Sequence, residues 1–308
     1  MKALIFPGQG SQIVGMGKEL YKKFNIVKKI FNAADEKLNF KLSKIILEGP
    51  ENELKLTQIT QPAILTVSYG IYATLVKEFE FDPSKLKYFA GHSLGEYSAL
   101  VCSGSLEFTD AIYLLNERGK AMQESVPLGK GGMLAVLGCE MYEIENYIKD
   151  VGNKGVCEIA NDNANGQIII SGEINSINEL QDILKKNKKK SIVLPVSAPF
   201  HCSLMKSAAD KMISKITSVD FQKPKFDIIT NVEAIAENNP DNIKRLLIEQ
   251  IYSKVRWRES VLYMINNGIN EFIEIGPGKV LTGLVKRIDK NVKTININTE
   301  QDILDITK

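Results

Sequence analysis

Apolar positions along the chain come in short unbroken runs separated by longer amphipathic stretches. The first run, "ALIF" at residues 3–6, ends at the turn "PGQGSQ". That is the signature of a strand buried on both faces, because a half-exposed strand would alternate polar and apolar residues. Helical periodicity predicts elements over 17–37 and 62–78, the second entered through Pro62. A strand is expected over Lys87, Tyr88, Phe89 and Ala90, then helices over 96–103 and 110–124, with Gly104 able to end the first of these. Strands alternating with helices argue for a parallel sheet covered on both faces.

From about residue 127 the order changes. "GKGGMLAVLG" reads as a strand and 140–151 as a helix. "VCEIANDNANGQIIISG" reads as two strands joined by an Asn/Gly-rich loop, 174–187 as a helix, and "SIVLPVS" as a strand. This βαββαβ sequence is the ferredoxin-like unit. The chain then returns to α/β alternation, with a helix over 203–216, the strand "FDIIT", helices over 241–252 and 258–267, and the strand "EFIEIG". The expected fold is therefore α/β, with a large domain over 1–126 and 197–308 and a small inserted domain over 127–196.

Composition adds mostly exclusions. At 308 residues the chain can bury a large core, and its net charge of +2 points to neither a nucleic-acid nor a membrane surface. The lysine-rich "KKNKKK" at 185–190 reads as a solvated helix end or as a docking point for an acidic partner. Residues 56–76 carry no charge, yet their glutamines, threonines and proline suit a buried helix better than a membrane span. The apolar run behind Met1 is too short for a signal peptide. Cys102, Cys139, Cys157 and Cys202 show no paired or metal-ligand spacing, so reduced thiols, no metal and a cytoplasmic location are expected. A monomer is expected.

The chemistry begins at "GHSLG", residues 91–95, where a serine stands between two glycines at a strand-to-helix turn. A turn that sharp leaves little room for side chains, presents the Ser93 hydroxyl in the open, and aims a helix N-terminus at it. A serine hydroxyl needs a general base, and only His92 and His201 exist. His92 adjoins Ser93 and reaches it poorly, which leaves it a supporting role. His201 lies on a Pro-containing loop where the small domain returns to the large one, a natural cleft wall, and is assigned as base. Cys202, its neighbour, points the other way on an extended chain. The Leu94 N–H is one natural oxyanion donor, and the Gln9 N–H in "FPGQGSQ" supplies the second. Arg118 shares a helical stripe with Ala111, Leu114, Leu115 and Met122. A cation on an apolar face needs an anion, either a protein carboxylate or a substrate carboxylate gripped through two parallel N–H bonds.

The ordered motifs "FPGQGSQ", "GHSLGEYSAL", "RGKAMQE", "PFHCSLM" and "IEIGPGKVLTGLVKR" resemble those of the malonyl-CoA:acyl carrier protein transacylase family, seen also as acyltransferase domains of polyketide and fatty acid synthases. The resemblance runs from residue 3 to about 288. It implies an α/β-hydrolase-like large domain with a ferredoxin-like insertion. It implies Ser93 as acyl acceptor, His201 as base, the Gln9 and Leu94 amides as oxyanion donors, and Arg118 as clamp for the malonyl carboxylate, with Met122 beside it in the pocket. It implies the Gln250 backbone carbonyl in place of a catalytic acid, Asn163 and Gln167 as a polar pair near the cleft, and Phe200 as a mark of the malonyl-selective branch. Malonyl-CoA and acyl carrier protein are the implied substrates, with no cofactor. Two other readings stay open: a serine hydrolase using an acid such as Asp162, and a carrier-binding module without catalysis, which would be expected to have lost Ser93 or His201.

Overall fold

The computed structural model describes residues 1–152, 155–196 and 198–307. Its first sheet contains β1 (Lys2–Phe6), β2 (Leu86–Gly91), β7 (Asp227–Ile229), β8 (Ala236–Glu237), β9 (Glu271–Ile275) and β10 (Lys293–Ile297). Their spatial order is β10-β9-β1-β2-β7-β8. All pairs are parallel except the last, where short β8 runs antiparallel along the edge. Central β1 explains the unbroken apolar run: Leu4 and Phe6 enter one core with Phe89, and Ala3 and Ile5 enter another with Tyr88 and Phe272. Each face of the sheet is covered, so alternate residues face different apolar layers.

The second sheet is built from β3 (Gly131–Leu137), β4 (Cys157–Ala164), β5 (Gln167–Glu173) and β6 (Lys190–Val193), ordered β4-β5-β3-β6 and antiparallel throughout. The βαββαβ order with this arrangement is the ferredoxin-like unit. One face of this sheet packs Leu134, Val136, Ile168 and Ile170 under its helices Met141–Val151 and Ile174–Lys186. The other face gives Met133, Ala135, Ala160 and Ile169 to the core of the large sheet. A short backbone bridge completes the join, with Asp162 N–H donating to Val255 O at 3.0 Å and Val255 N–H to Ala160 O at 2.8 Å.

Some elements differ from expectation. The helix expected over 17–37 is two helices, Lys18–Lys23 and Asn25–Leu38, because Phe24 turns extended and places its ring against Phe79. The helix expected to start at Pro62 spans Thr57–Lys77. Pro62 has no N–H for the Gln58 carbonyl, and the Asn116 side chain donates to that carbonyl instead, at 2.8 Å. This helix is long and apolar enough to cross a membrane, but 78% of its most apolar window is buried in the protein, so it is a core helix. Helices Leu42–Glu48 and Glu51–Leu54 were not foreseen. The strand expected through "SIVLPVS" stops at Val193, two residues before Pro195, which cannot donate to a ladder. Residue 197, at the expected return to the large domain, lies outside the described residues.

Candidate active site

β2 ends at Gly91 and the helix Gly95–Cys102 begins four residues later, with Ser93 in the left-handed region at φ 54°. Both glycines are steric necessities. A Cβ on Gly91 would fall 1.9 Å from the Gly95 carbonyl carbon, and one on Gly95 2.2 Å from Phe6 O. The turn is held from outside by Asn231, whose Oδ1 accepts from Ser93 N–H and whose Nδ2 donates to Gly91 O, both at 2.7 Å.

His201, itself at φ 59°, approaches from the loop behind the small sheet, with Nε2 2.7 Å from Ser93 Oγ. Its Nδ1 lies 2.9 Å from the Gln250 carbonyl. Gln250 closes the helix Pro240–Gln250, where backbone carbonyls have no helical partner. A carbonyl only accepts, so Nδ1 carries the proton and Nε2 offers its lone pair to the Ser93 hydroxyl. Burial and the nearby Arg118 guanidinium push the imidazole down to about 3, so it is neutral and able to take a proton. Asp162, the acid a hydrolase would need, is buried and held by Arg258, whose Nε lies 2.9 and 3.0 Å from its two oxygens. Among the described residues no hydrogen bond joins it to His201. Cys202 is buried, donates to Pro199 O at 3.1 Å, and is pushed up to about 12 by burial, which disposes of it as a nucleophile.

Ser93 and His201 open onto a cavity of about 170 Å³. Arg118, 1% exposed, lies at its wall. Its Nη1 donates to Gln61 Oε1 at 2.8 Å and its Nη2 to Gln250 Oε1 at 2.8 Å and Ser93 Oγ at 3.2 Å. Its Nε has no partner, and among the described residues no carboxylate pairs with it. The structural ion pair that could have accounted for a cation on this stripe is therefore missing. The backbone N–H groups of Gln9 and Leu94, both on the cavity wall, make no hydrogen bond to protein among the described residues. Met122 and Phe200 supply apolar wall. His92 stands behind, its Nε2 2.8 Å from Asn163 Oδ1 and its ring 5.7 Å from that of Trp257, and burial lowers its pKa.

One expected residue is elsewhere. Gln167 starts β5 at the turn of the hairpin that carries Asn163, but it accepts from Arg287 Nη1 at 2.7 Å on the rim of a neighbouring surface groove and is not among the residues lining the cavity. Three neighbours were missed: Gln61, Asn231 and Glu96. Glu96 is 1% exposed and pushed up to about 7 by burial, against the pull of hydrogen bonds from Asn231 N–H and Gln250 Nε2.

The arrangement can carry an acyl group on Ser93 while holding an anion in the same cavity. Proteins of similar sequence and structure bear on what it does. A family model described as "Acyl transferase domain" matches residues 3–300. A malonyl CoA-acyl carrier protein transacylase of Bacillus subtilis is 44% identical over 303 residues, covering 98% of this chain and 94% of the relative. An acyl-carrier-protein-S-malonyltransferase of Bartonella henselae superposes with a TM-score of 0.96 at 41% identity, covering 99% of this chain and 98% of the other. A malonyl-transacylase solved in complex with its type II polyketide acyl-carrier protein superposes with a TM-score of 0.94 at 38% identity, covering 98% of this chain and 97% of the other. With the match running almost from end to end, the chain belongs to the acyl transferase domain family.

Proposed function

We propose that this protein is a malonyl-CoA:acyl carrier protein S-malonyltransferase serving fatty acid or polyketide synthesis in the cytoplasm. The observation that carries it is one cavity holding both the Ser93–His201–Gln250 carbonyl chain and a buried arginine with an unused N–H. A hydrolase of neutral acyl groups has no use for that cation. The names of its relatives support the same exchange.

In the first half-reaction Ser93 Oγ attacks the malonyl thioester carbonyl while its proton passes to His201 Nε2. The carbonyl oxygen becomes an oxyanion facing the free Gln9 and Leu94 amides. Collapse breaks the C–S bond, and the CoA thiolate leaves with the proton from His201. In the second, the carrier protein's phosphopantetheine thiol gives its proton to His201 and attacks the malonyl-serine ester. Collapse returns the proton to Ser93. The Gln250 carbonyl keeps Nδ1–H in place and stabilises the transient imidazolium. Arg118 holds the malonyl carboxylate, which fixes the acyl group where the thiol arrives and leaves little room for water. No resident cofactor takes part.

Intact mass spectrometry tests this directly. Malonyl-CoA is expected to load one malonyl group, which Ser93→Ala abolishes, and added holo carrier protein is expected to remove it as malonyl-carrier. Release of free malonate without transfer would favour the hydrolase instead.

A further inference from the structure

A single carboxylate oxygen links the serine turn to the arginine clamp. Glu96 lies in the first turn of the helix Gly95–Cys102, every residue of which is buried. Its Oε2 accepts from Asn231 N–H at 3.0 Å and from Gln250 Nε2 at 2.8 Å. Asn231 is the residue that grips the Ser93 turn at both ends. The Gln250 amide spans the gap between the other two groups. Its Nε2 also donates to Ser93 O at 3.1 Å, and its Oε1 accepts from Arg118 Nη2 at 2.8 Å. Turned over, that amide would aim N–H groups at the guanidinium and its oxygen at a carboxylate and a carbonyl. Glu96 and Arg118 thus read opposite ends of one side chain and agree on its orientation.

We propose that Glu96 is a positioning residue for substrate selection. By accepting from Gln250 Nε2 it keeps Oε1 turned to Arg118, and so holds the guanidinium at the cavity wall with its Nε unpaired. An ion pair made directly with Arg118 would consume the donors that a substrate carboxylate needs, whereas the amide spacer leaves them available. This rests on the malonyl-transfer reading above.

The test is single-turnover loading of Ser93 from malonyl-CoA and from acetyl-CoA, which lacks the carboxylate, in the native enzyme, Glu96→Ala, Glu96→Gln and Arg118→Ala. Glu96→Ala is expected to slow both substrates through the Ser93 turn and to lower the malonyl-to-acetyl ratio by about tenfold, the scale of one lost charged hydrogen bond. Glu96→Gln, able to place an acceptor oxygen where Oε2 sits, is expected to keep the ratio within about threefold of native. An unchanged ratio in Glu96→Ala, or a loss just as large in Glu96→Gln, overturns the proposal. If Glu96→Ala does not fold, Glu96→Asp substitutes: too short to reach Gln250, it is expected to lower the ratio, and an unmoved ratio overturns the proposal equally. A native enzyme that loads no malonate, or an Arg118→Ala ratio equal to native, would instead overturn the reading of the function. Normal behaviour of those two with an unmoved Glu96→Ala ratio removes only the role of Glu96.

Discussion

Replacing Arg118 with alanine is expected to change which acyl group the enzyme accepts far more than it changes the enzyme. Arg118 is the only lysine or arginine lining the cavity among the described residues, and both histidines there are held neutral by burial. Without it, a bound malonyl carboxylate faces only neutral donors among the residues lining the cavity. Leaving an anion unpaired in such a site costs about 2 to 5 kcal/mol, which corresponds to roughly 30-fold to several thousand-fold in malonyl-CoA turnover. Acetyl-CoA brings no charge and incurs no such penalty. The variant also strands Gln61 Oε1 and Gln250 Oε1, but any loosening from that source is common to both substrates. The assay is therefore kcat/KM for malonyl-CoA and acetyl-CoA side by side, with the melting temperature of the same preparation. Arg118→Lys is expected to be poor too, since an ammonium cannot replace a fork of N–H groups reaching Gln61, Gln250 and the substrate together. A parallel fall for both substrates, tracking a lower melting temperature, would refute the reasoning.

Other expectations follow from the same geometry. His201→Ala should slow both half-reactions by about 10² to 10⁴, while Asp162→Asn, which only weakens the contact with Arg258, should leave transfer rates near native; stopped-flow loading and transfer assays that found equal losses would restore a catalytic acid. Ring-proton NMR should show neither imidazole titrating near pH 6.5, because burial lowers both. For His201, whose folded value of about 3 lies below the unfolded one, the stabilisation is full above about 6.5 and is lost as pH falls toward 3; a midpoint near 6.5 for His201 would contradict its burial. Gly95→Ala, forcing a Cβ against the Phe6 carbonyl, should destabilise by about 1 to 3 kcal/mol, and a melting temperature equal to native would show that the turn is less tightly packed than its distances say.

Much of this was legible in the sequence because function here is carried by local patterns. The serine between glycines needed only the steric logic of a turn, and the scarcity of histidine left His201 almost alone. What escaped was contact across the chain. Glu96 did carry a signal: a carboxylate inside "GEYSALVC" had to be satisfied somewhere. Its partners, 135 and 154 residues away, gave none. Gln61 counted only among the polar residues that argued for a buried helix over a membrane span, whereas its side-chain oxygen accepts from Arg118 from inside that helix. Gln167 lies on the same hairpin as Asn163, yet its side chain is taken up by Arg287, 120 residues away, in a neighbouring groove, a pairing no local window contains. The fold class emerged from the run lengths of apolar residues, while helix boundaries such as Phe24 and Thr57 depended on packing that no local window contains.

The shared core of the two sheets has a consequence for anyone who would cut and exchange the insertion. A true module carries its own hydrophobic interior across a dispensable linker. Here one face of the ferredoxin-like sheet is closed by its own helices, and the other, with Met133, Ala135, Ala160 and Ile169, is closed by the rest of the protein. Excised, that face would meet water and make the fragment sticky. Chimaeras that transplant the segment alone from one relative to another would mismatch those side chains against a foreign surface, along with the backbone bridge at Val255. Grafts intended to move acyl preference between relatives should carry the abutting loop around Val255 and the opposing core residues with the segment, or change only the residues that reach the cavity.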